Sequence, residues 1–234
     1  MTEHEKLIRL NKHLALQLGV SRREADVFIE QGRVRVNGEK ATLGARINET
    51  DEIQLDGKPV TTATQFRYIL FHKPTGYVCS RKAQGDTPTI YSLLPPDMHV
   101  LKPVGRLDKD SSGLILLTND GDFAHQMTHP KFHKTKVYEV VLDHALEPLH
   151  QQMISDYGIM LEDGKSQFML ERLSETNRKE WQVTMSEGRN RQIRRTFGAL
   201  GYAVKKLHRT QFGPYRLDTL LRGRYVTIEA QRDS

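Results

Sequence analysis

The chain has 234 residues, enough for one ordinary domain and a second small one, with 37% hydrophobic residues and a mean hydropathy of -0.58. No apolar run approaches bilayer length, which excludes a helical membrane protein, and the single cysteine, Cys79, excludes an internal disulfide. The net charge of +6 is unevenly spread: residues 1 to 66 hold ten Lys/Arg against ten Asp/Glu, whereas residues 189 to 224 hold ten Lys/Arg against Asp218 alone. Such a segregated field points to a polyanionic partner, with a solvated basic surface as the plainer alternative. The N-terminal MTEHEKLIRL carries no signal-peptide pattern, so a cytoplasmic location is expected.

Leu10, Leu14 and Leu18 recur at helical spacing and Gly19 follows as a stop. Ser21-Arg-Arg-Glu24 has the form of a capping box, which predicts a second helix carrying Ala25, Phe28 and Ile29 inward and ending at Gly32. Arg33-Val-Arg-Val36 then alternates as a half-buried strand, Asn37-Gly38 supplies a turn, and a further strand is expected over Glu52 to Leu55 before Asp56-Gly57. Residues 61 to 66 read as a linker between a domain over 1–60 and one over 67–234.

The second part opens with an apolar strand, Tyr68 to Phe71, running into Lys73-Pro-Thr-Gly76. Strands are expected at 114–117, 137–142, 167–170 and 181–185, and helices at 122–127, 148–154 and 191–200. Strands outnumber helices without alternating regularly with them, so the fold class is α+β, with a mixed and mainly antiparallel sheet. His125, His129 and His133 mimic helical metal-ligand spacing, but Pro130 breaks that helix and no further ligand completes a set. Thr118-Asn-Asp-Gly-Asp122 lacks most of a calcium loop and reads as a turn.

Three segments could carry chemistry. In Gly105-Arg-Leu-Asp108-Lys-Asp-Ser-Ser-Gly113, Asp108 lies among basic residues that favour its ionised form, so it could serve as nucleophile or base, or simply shape a turn. On a helix over 191–200, Ile193, Phe197 and Leu200 form the core stripe. Arg194 then falls at the edge of that stripe, able to enter a cleft and pair with a carboxylate, while Arg195 lies opposite. In Lys134-Thr-Lys-Val-Tyr138, alternation places Lys136 and Tyr138 on one face, suited to gripping phosphate and stacking a base, although Tyr138 could equally be a core residue.

The segment SRREADVFIEQGRVRVNG resembles the αL RNA-binding domain that also occurs in a small-subunit ribosomal protein. KPTGYVCS, GRLDKDSSGLILLTNDG, KVYEV and EGRNRQIRR together resemble, over nearly the whole chain, the ribosomal RNA pseudouridine synthases that carry such an N-terminal domain. The resemblance implies an isomerisation without cofactor or metal, in which the uracil glycosidic bond breaks, the base rotates and C5 joins the sugar. It gives Asp108 the role of attacking or deprotonating the substrate, Tyr138 that of stacking on the base and helping to remove the C5 proton, and Arg194 that of orienting Asp108. The implied partner is a structured ribosomal RNA stem-loop, met by a monomer with no membrane. RNA contacts are expected from Arg22, Arg23, Arg33 and Arg35 in the first domain. In the second they are expected from Lys73, Arg106, Lys136, Arg189, Arg191, Arg195, Lys205, Lys206 and Arg209. GRNRQIRR and LEDG lean toward large-subunit enzymes, YVCS and KLHR toward small-subunit ones, and the large subunit is favoured. A non-catalytic RNA-binding protein and a uracil-releasing glycosidase are the rivals.

Overall fold

The computed structural model describes residues 7–60, 65–81 and 84–231. Contacts divide the chain into two compact units, Met1–Arg67 and Tyr68–Ser234. Of the expected linker, residues 61–64 lie outside the described residues.

The first unit runs β1 (Ile8–Arg9), α1 (Leu10–Leu18), α2 (Arg22–Glu30), β2 (Val34–Val36), β3 (Glu39–Lys40), β4 (Arg46–Ile47), β5 (Ile53–Leu55) and β6 (Lys58–Pro59). Its signals act as read: Gly19 ends α1 in the left-handed region at φ 70°, and Ser21 Oγ accepts from the Glu24 N–H at 3.1 Å. Asn37-Gly38, both at positive φ, turns β2 into β3 in a sheet ordered β3-β2-β5-β6. Leu10, Leu14, Ala25, Ile29, Val34 and Ile53 form its core.

The second unit comprises β7 (Tyr68–Lys73), β8 (Lys102–Val104), β9 (Ser112–Thr118), α3 (Gly121–Thr128), β10 (Lys136–Leu142), α4 (Pro148–Gln152), β11 (Ile159–Leu161) and β12 (Gly164–Ser166). It continues with β13 (Met169–Arg172), β14 (Glu180–Met185), α5 (Gln192–Ala199), β15 (Val204–Phe212), β16 (Tyr215–Arg216) and β17 (Tyr225–Thr227). Its main sheet is ordered β13-β14-β10-β15-β9-β7-β17, with β16 added to β15 and β8 to β9. Every pairing in it is antiparallel except that of β15 with β9.

Both faces of the sheet centre are covered, which explains why β9 is apolar at consecutive positions. Ile115 and Leu117 join one core with Trp181, Val183, Ile193 and Phe197, while Leu114 and Leu116 join another with Phe123 and Met127 of α3. Two expected elements shift. The strand expected at 167 begins at Met169, and the Gln167 side chain ahead of it donates to the Ser155 and Asp156 carbonyls. Helix α4 gives way to a π-turn over Met153–Tyr157. The nine-residue β15 was not expected at all.

At the parallel junction Gly113 has φ 113°, and a Cβ there would collide with the backbone N, C and O of Arg209. Gly113→Ala should therefore prise β15 from β9, and a loss of about 2 to 4 kcal/mol is expected from the clash and the unfavourable φ together. Urea unfolding measures it, and a stability equal to wild type would mean that this close approach is not needed.

Candidate active site

The KPTG segment grips the loop before β9 from beneath. Lys73 is fully buried, and its ammonium donates to the carbonyls of Pro74 (3.0 Å), Asp108 (3.0 Å) and Ser111 (2.7 Å). The Gly76 N–H donates to the Lys109 carbonyl at 2.7 Å, and the Cys79 thiol meets Leu107 N–H and C=O at 3.5 and 3.4 Å. Burial pushes the Lys73 ammonium below the usual lysine range, against the pull of Cys79, Asp108 and Asp110. Lys73 is thus a support for the Asp108 loop and does not reach an RNA surface, contrary to the expectation from sequence.

Above that loop sits a cavity of about 710 Å³, lined by Arg106, Asp108, Lys136, Tyr138, Met185, Ile193, Leu207, Arg209 and Phe212 among others. Alternation along β10 buries Lys136, Tyr138 and Val140 on one face, as read from the sequence. Among the described residues three carboxylates line this space: Asp108, Asp163 and Glu187. Asp163 is held by Arg189 at 2.9 Å and Arg195 at 2.6 Å, and Glu187 by Gln192 at 2.9 Å and Arg189 at 3.2 Å. Asp108, half-buried, has among the described residues a single 3.4 Å approach to its carboxylate, from Arg191 Nη1, and is the least committed of the three.

The arginine arrangement differs from expectation. Arg194 lies 3.3 Å from the carboxylate of Asp110, not Asp108, and its remaining donors go to the Asp110 carbonyl (2.9 Å) and the Val204 carbonyl (2.7 Å). Arg191 is the guanidinium that reaches Asp108, while bonding Asp110 at 3.1 and 3.2 Å. Helix α5 begins at Gln192, and Arg191 sits at its N-cap with φ 45°, a left-handed conformation that is costly for a side chain of its size and aims it off the helical wheel. Burial alone would raise the Asp110 carboxyl, but the Arg191 hydrogen bond and the charges of Arg194 and Arg191 outweigh it and hold it low.

The other expected RNA contacts fall into distinct groups. Arg189 donates to Asp163 and to the carbonyls of Gly164 and Lys165, and Arg195 to Asp163 and the Asn190 carbonyl, so both brace the β11–β12 hairpin. Lys136 and Arg209 are 9% and 3% exposed, inside the cavity and away from the outer surface. Lys206 pairs with Glu139 at 3.0 Å, whereas Lys205 and Arg106 are exposed. In the first unit Arg22 and Arg23 are exposed on α2, Arg33 is forked onto Asp56 and lies over Phe28, and Arg35 donates to the Gly38 carbonyl. Asp110 and the buried Gln192–Ser166–Thr196 network, which ties α5 to the hairpin, escaped the sequence reading. Asp120, read as part of a turn, caps α3 by accepting from Asp122 and Phe123 N–H groups.

A family model described as RNA pseudouridylate synthase matches residues 67–199, and an S4 domain model matches residues 8–53. The chain is 38% identical over 227 residues to ribosomal small subunit pseudouridine synthase A of Pasteurella multocida, covering 96% of this chain and 97% of that one. It is 36% identical over 209 residues to ribosomal large subunit pseudouridine synthase B of Bacillus subtilis, covering 87% and 85%. A solved structure titled as a pseudouridylate synthase superposes with a TM-score of 0.68 at 36% identity, over 95% of this chain and 96% of that one.

The Asp110 pairing has a measurable sign. A carboxyl held below its unfolded value contributes stability that is full above the unfolded pKa and is lost as pH falls through the folded one. Asp110→Asn should therefore destabilise the protein at pH 7, by no more than about 1 kcal/mol for so exposed a pair. The gap from wild type should close at acid pH below the normal aspartate range, as denaturant midpoints at each pH would register. A gap that persists there would show that the charge of Asp110 is not what its arginines hold.

Proposed function

This chain belongs to the RNA pseudouridylate synthase family, and from that premise we propose that it isomerises a uridine of ribosomal RNA to pseudouridine with Asp108 as the carboxylate that engages the substrate. The observation that carries the assignment is the contrast among the cavity's carboxylates: Asp163 and Glu187 are spent on internal partners, and Asp108 faces the space with one long contact to Arg191.

A uridine must leave its RNA stack to enter such a cavity, at a cost of roughly a few kcal/mol that phosphate contacts offset. Tyr138 presents its ring to the base. Arg191 orients Asp108 directly, and Arg194 acts one step back by fixing Asp110 and the chain at Ser111. The S4 unit anchors the RNA through Arg22 and Arg23, which makes the catalytic unit's target effectively more concentrated. The RNA is a stem-loop, and the small ribosomal subunit is the preferred source, because the relative named for it aligns with nearly the whole of both chains. The segments that lean toward the large subunit, LEDG and GRNRQIRR, bind each other through Asp163, Arg189 and Arg195, so their joint presence reflects a packed hairpin as much as a substrate. Among the described residues no helix is long and apolar enough to cross a membrane, and a cytoplasmic site of action fits a ribosomal substrate.

Chemical mapping of pseudouridine in both ribosomal RNAs, from cells with and without the protein, tests the assignment. One site should vanish from small-subunit RNA, and a site lost from large-subunit RNA instead would overturn the choice of subunit. In purified protein, Asp108→Asn should abolish conversion with RNA affinity nearly intact, and substantial residual turnover would remove Asp108 from the mechanism. Arg191→Ala should lose more turnover per unit of affinity than Arg195→Ala. Arg22→Gln and Arg23→Gln should each flatten the salt dependence of RNA binding by about one unit of slope. An unchanged slope would take α2 off the RNA.

A further inference from the structure

The cavity holds a second ionic feature that Asp108 and its arginines do not account for. Lys136 on β10 and Arg209 on β15 line it on neighbouring strands, where Tyr138 is in register with Arg209 and Lys136 with Phe212. The Lys136 ammonium lies 5.5 Å and the Arg209 guanidinium 4.8 Å from the centroid of the same Phe212 ring. Each is at least nine-tenths buried. Lys136 Nζ donates to the carbonyls of Ser186 (2.8 Å) and Lys134 (3.2 Å), and Arg209 Nε to the carbonyl of Leu114 (2.8 Å). Arg209 Nη2 is buried with no hydrogen-bond partner among the described residues, and the carboxylate whose charge acts on Lys136, Glu187, is bonded to Gln192 and Arg189.

Two like charges withdrawn from water are expensive when the one anion acting on Lys136, Glu187, is itself held by Gln192 and Arg189, and a further anion placed between them relieves their repulsion. The RNA reaction offers two sources of anionic oxygen, a backbone phosphate and the base itself. A phosphate is charged at every stage and strongly hydrated, and is met economically at a wet surface. A dry pair of cations is most effective against charge that appears only during reaction. The position also favours the base, since Arg209 is the cross-strand neighbour of Tyr138, against which the base stacks.

We propose that Lys136 and Arg209 form a buried dication that receives the ring oxygens of the uracil and holds the negative charge the base carries while it is detached from its sugar. The inference rests on the reaction assigned above. When the N1–C1′ bond breaks, its electron pair stays with N1 and spreads to O2 and O4, leaving C1′ electron-deficient and facing Asp108. When C5 joins C1′, the ring supplies the electron pair, the C5 proton is lost and N1 takes one up, so the product is an isomer and the charge on the ring is discharged. The dication lowers the barrier at the stage between those two events.

Burial, followed by the charge of Arg209 and against that of Glu187, brings the Lys136 ammonium down to about 8. Those two groups, from β15 and from the turn after β14, are the charged neighbours that bear on it, and Tyr138 lines the same cavity from its own strand. Lys136 is a cation below that value and loses its charge above it, so turnover should decline as pH rises through about 8.

The experiment measures single-turnover rate and Kd on one stem-loop RNA for wild type, Lys136→Met and Lys136→Arg. Lys136→Met should slow the saturated rate by about 100- to 1000-fold, as loss of a charge-stabilising donor does, with Kd within roughly threefold of wild type. Lys136→Arg should restore much of the rate and, remaining charged, should lack the decline near pH 8. A Kd that weakens with an unchanged saturated rate, and a salt slope flattened by about one unit, would assign the pair to a phosphate and overturn the proposal. So would a Lys136→Met rate equal to wild type. If Lys136→Met does not fold, the pH profiles of wild type and Lys136→Arg decide, and coincident profiles reject the dication. Absence of conversion by wild type would instead reject the assigned reaction.

Discussion

Lys73 is fully buried with no carboxylate bound to it among the described residues, and its three carbonyl partners hold the shape of the loop that presents Asp108. A buried ammonium must be surrounded by acceptors, and backbone carbonyls can supply them only if the chain curls around the ammonium. The curl from Leu107 to Ser111 is therefore held from below, by the last residue of β7, through backbone carbonyls and not through the loop's side chains. It leaves the carboxylate of Asp108 toward the cavity and that of Asp110 toward α5. The rest of the site builds on that division: Asp110 receives the arginines, and Asp108 keeps its oxygens largely unspent.

The same distinction between spent and unspent charge organises the basic residues. The excess of Lys/Arg between residues 189 and 224 suggests an open polyanion surface when counted along the sequence. In the fold, Arg189, Arg194 and Arg195 are consumed by Asp163, Asp110 and nearby carbonyls, and Lys206 by Glu139. Exposed pairs of this kind contribute little stability singly, but here each connects elements that frame the cavity. What remains for RNA is smaller than the count implied: Lys205, Arg216, Arg222 and Arg224 are exposed and Arg209 is enclosed, while outside that segment Arg106 is exposed and Lys136 enclosed. Charge counting measures composition, whereas binding depends on which charges lack a partner.

Legibility in the sequence followed the range of the interactions involved. The caps and turns of the first unit were readable because Ser21 with Glu24, Gly19, and Asn37 with Gly38 act within three or four residues of themselves. The paired face of Lys136 and Tyr138 was readable from strand alternation. Strand β15 was not, because VKKLHRTQF alternates poorly. Lys205 and Lys206 are both exposed, and Arg209 is a charged residue buried in a cavity wall. The helical wheel places Arg194 to enter a cleft and pair with a carboxylate, and it pairs with Asp110; its tie to Asp108 is implied only by the resemblance. The guanidinium that reaches Asp108 belongs to Arg191, where the chain enters the left-handed region, outside the regular helix that a wheel describes. Aspartate pairs two apart, such as Asp108 and Asp110, give no local signal for which one binds the arginines. In the fold Asp110 takes the arginines, while Lys73, 35 residues away from Asp108, holds the carbonyls of their loop.

The support behind Arg191 completes the logic of the cavity. Its strained conformation persists because the residues after it are locked: Gln192 donates to Ser166 and Glu187, Thr196 donates to Ser166, and Arg195 reaches Asp163. All of these end on the β11–β12 hairpin or the turn leading into α5. The hairpin that walls one side of the cavity is therefore also the brace that holds the guanidinium against Asp108 on the other. A force on that hairpin acts on the same framework that sets the direction of Arg191. Under the function proposed above, RNA pressed against it would couple substrate recognition to the orientation of Asp108, which suits a site that needs its base accurately placed before the glycosidic bond breaks.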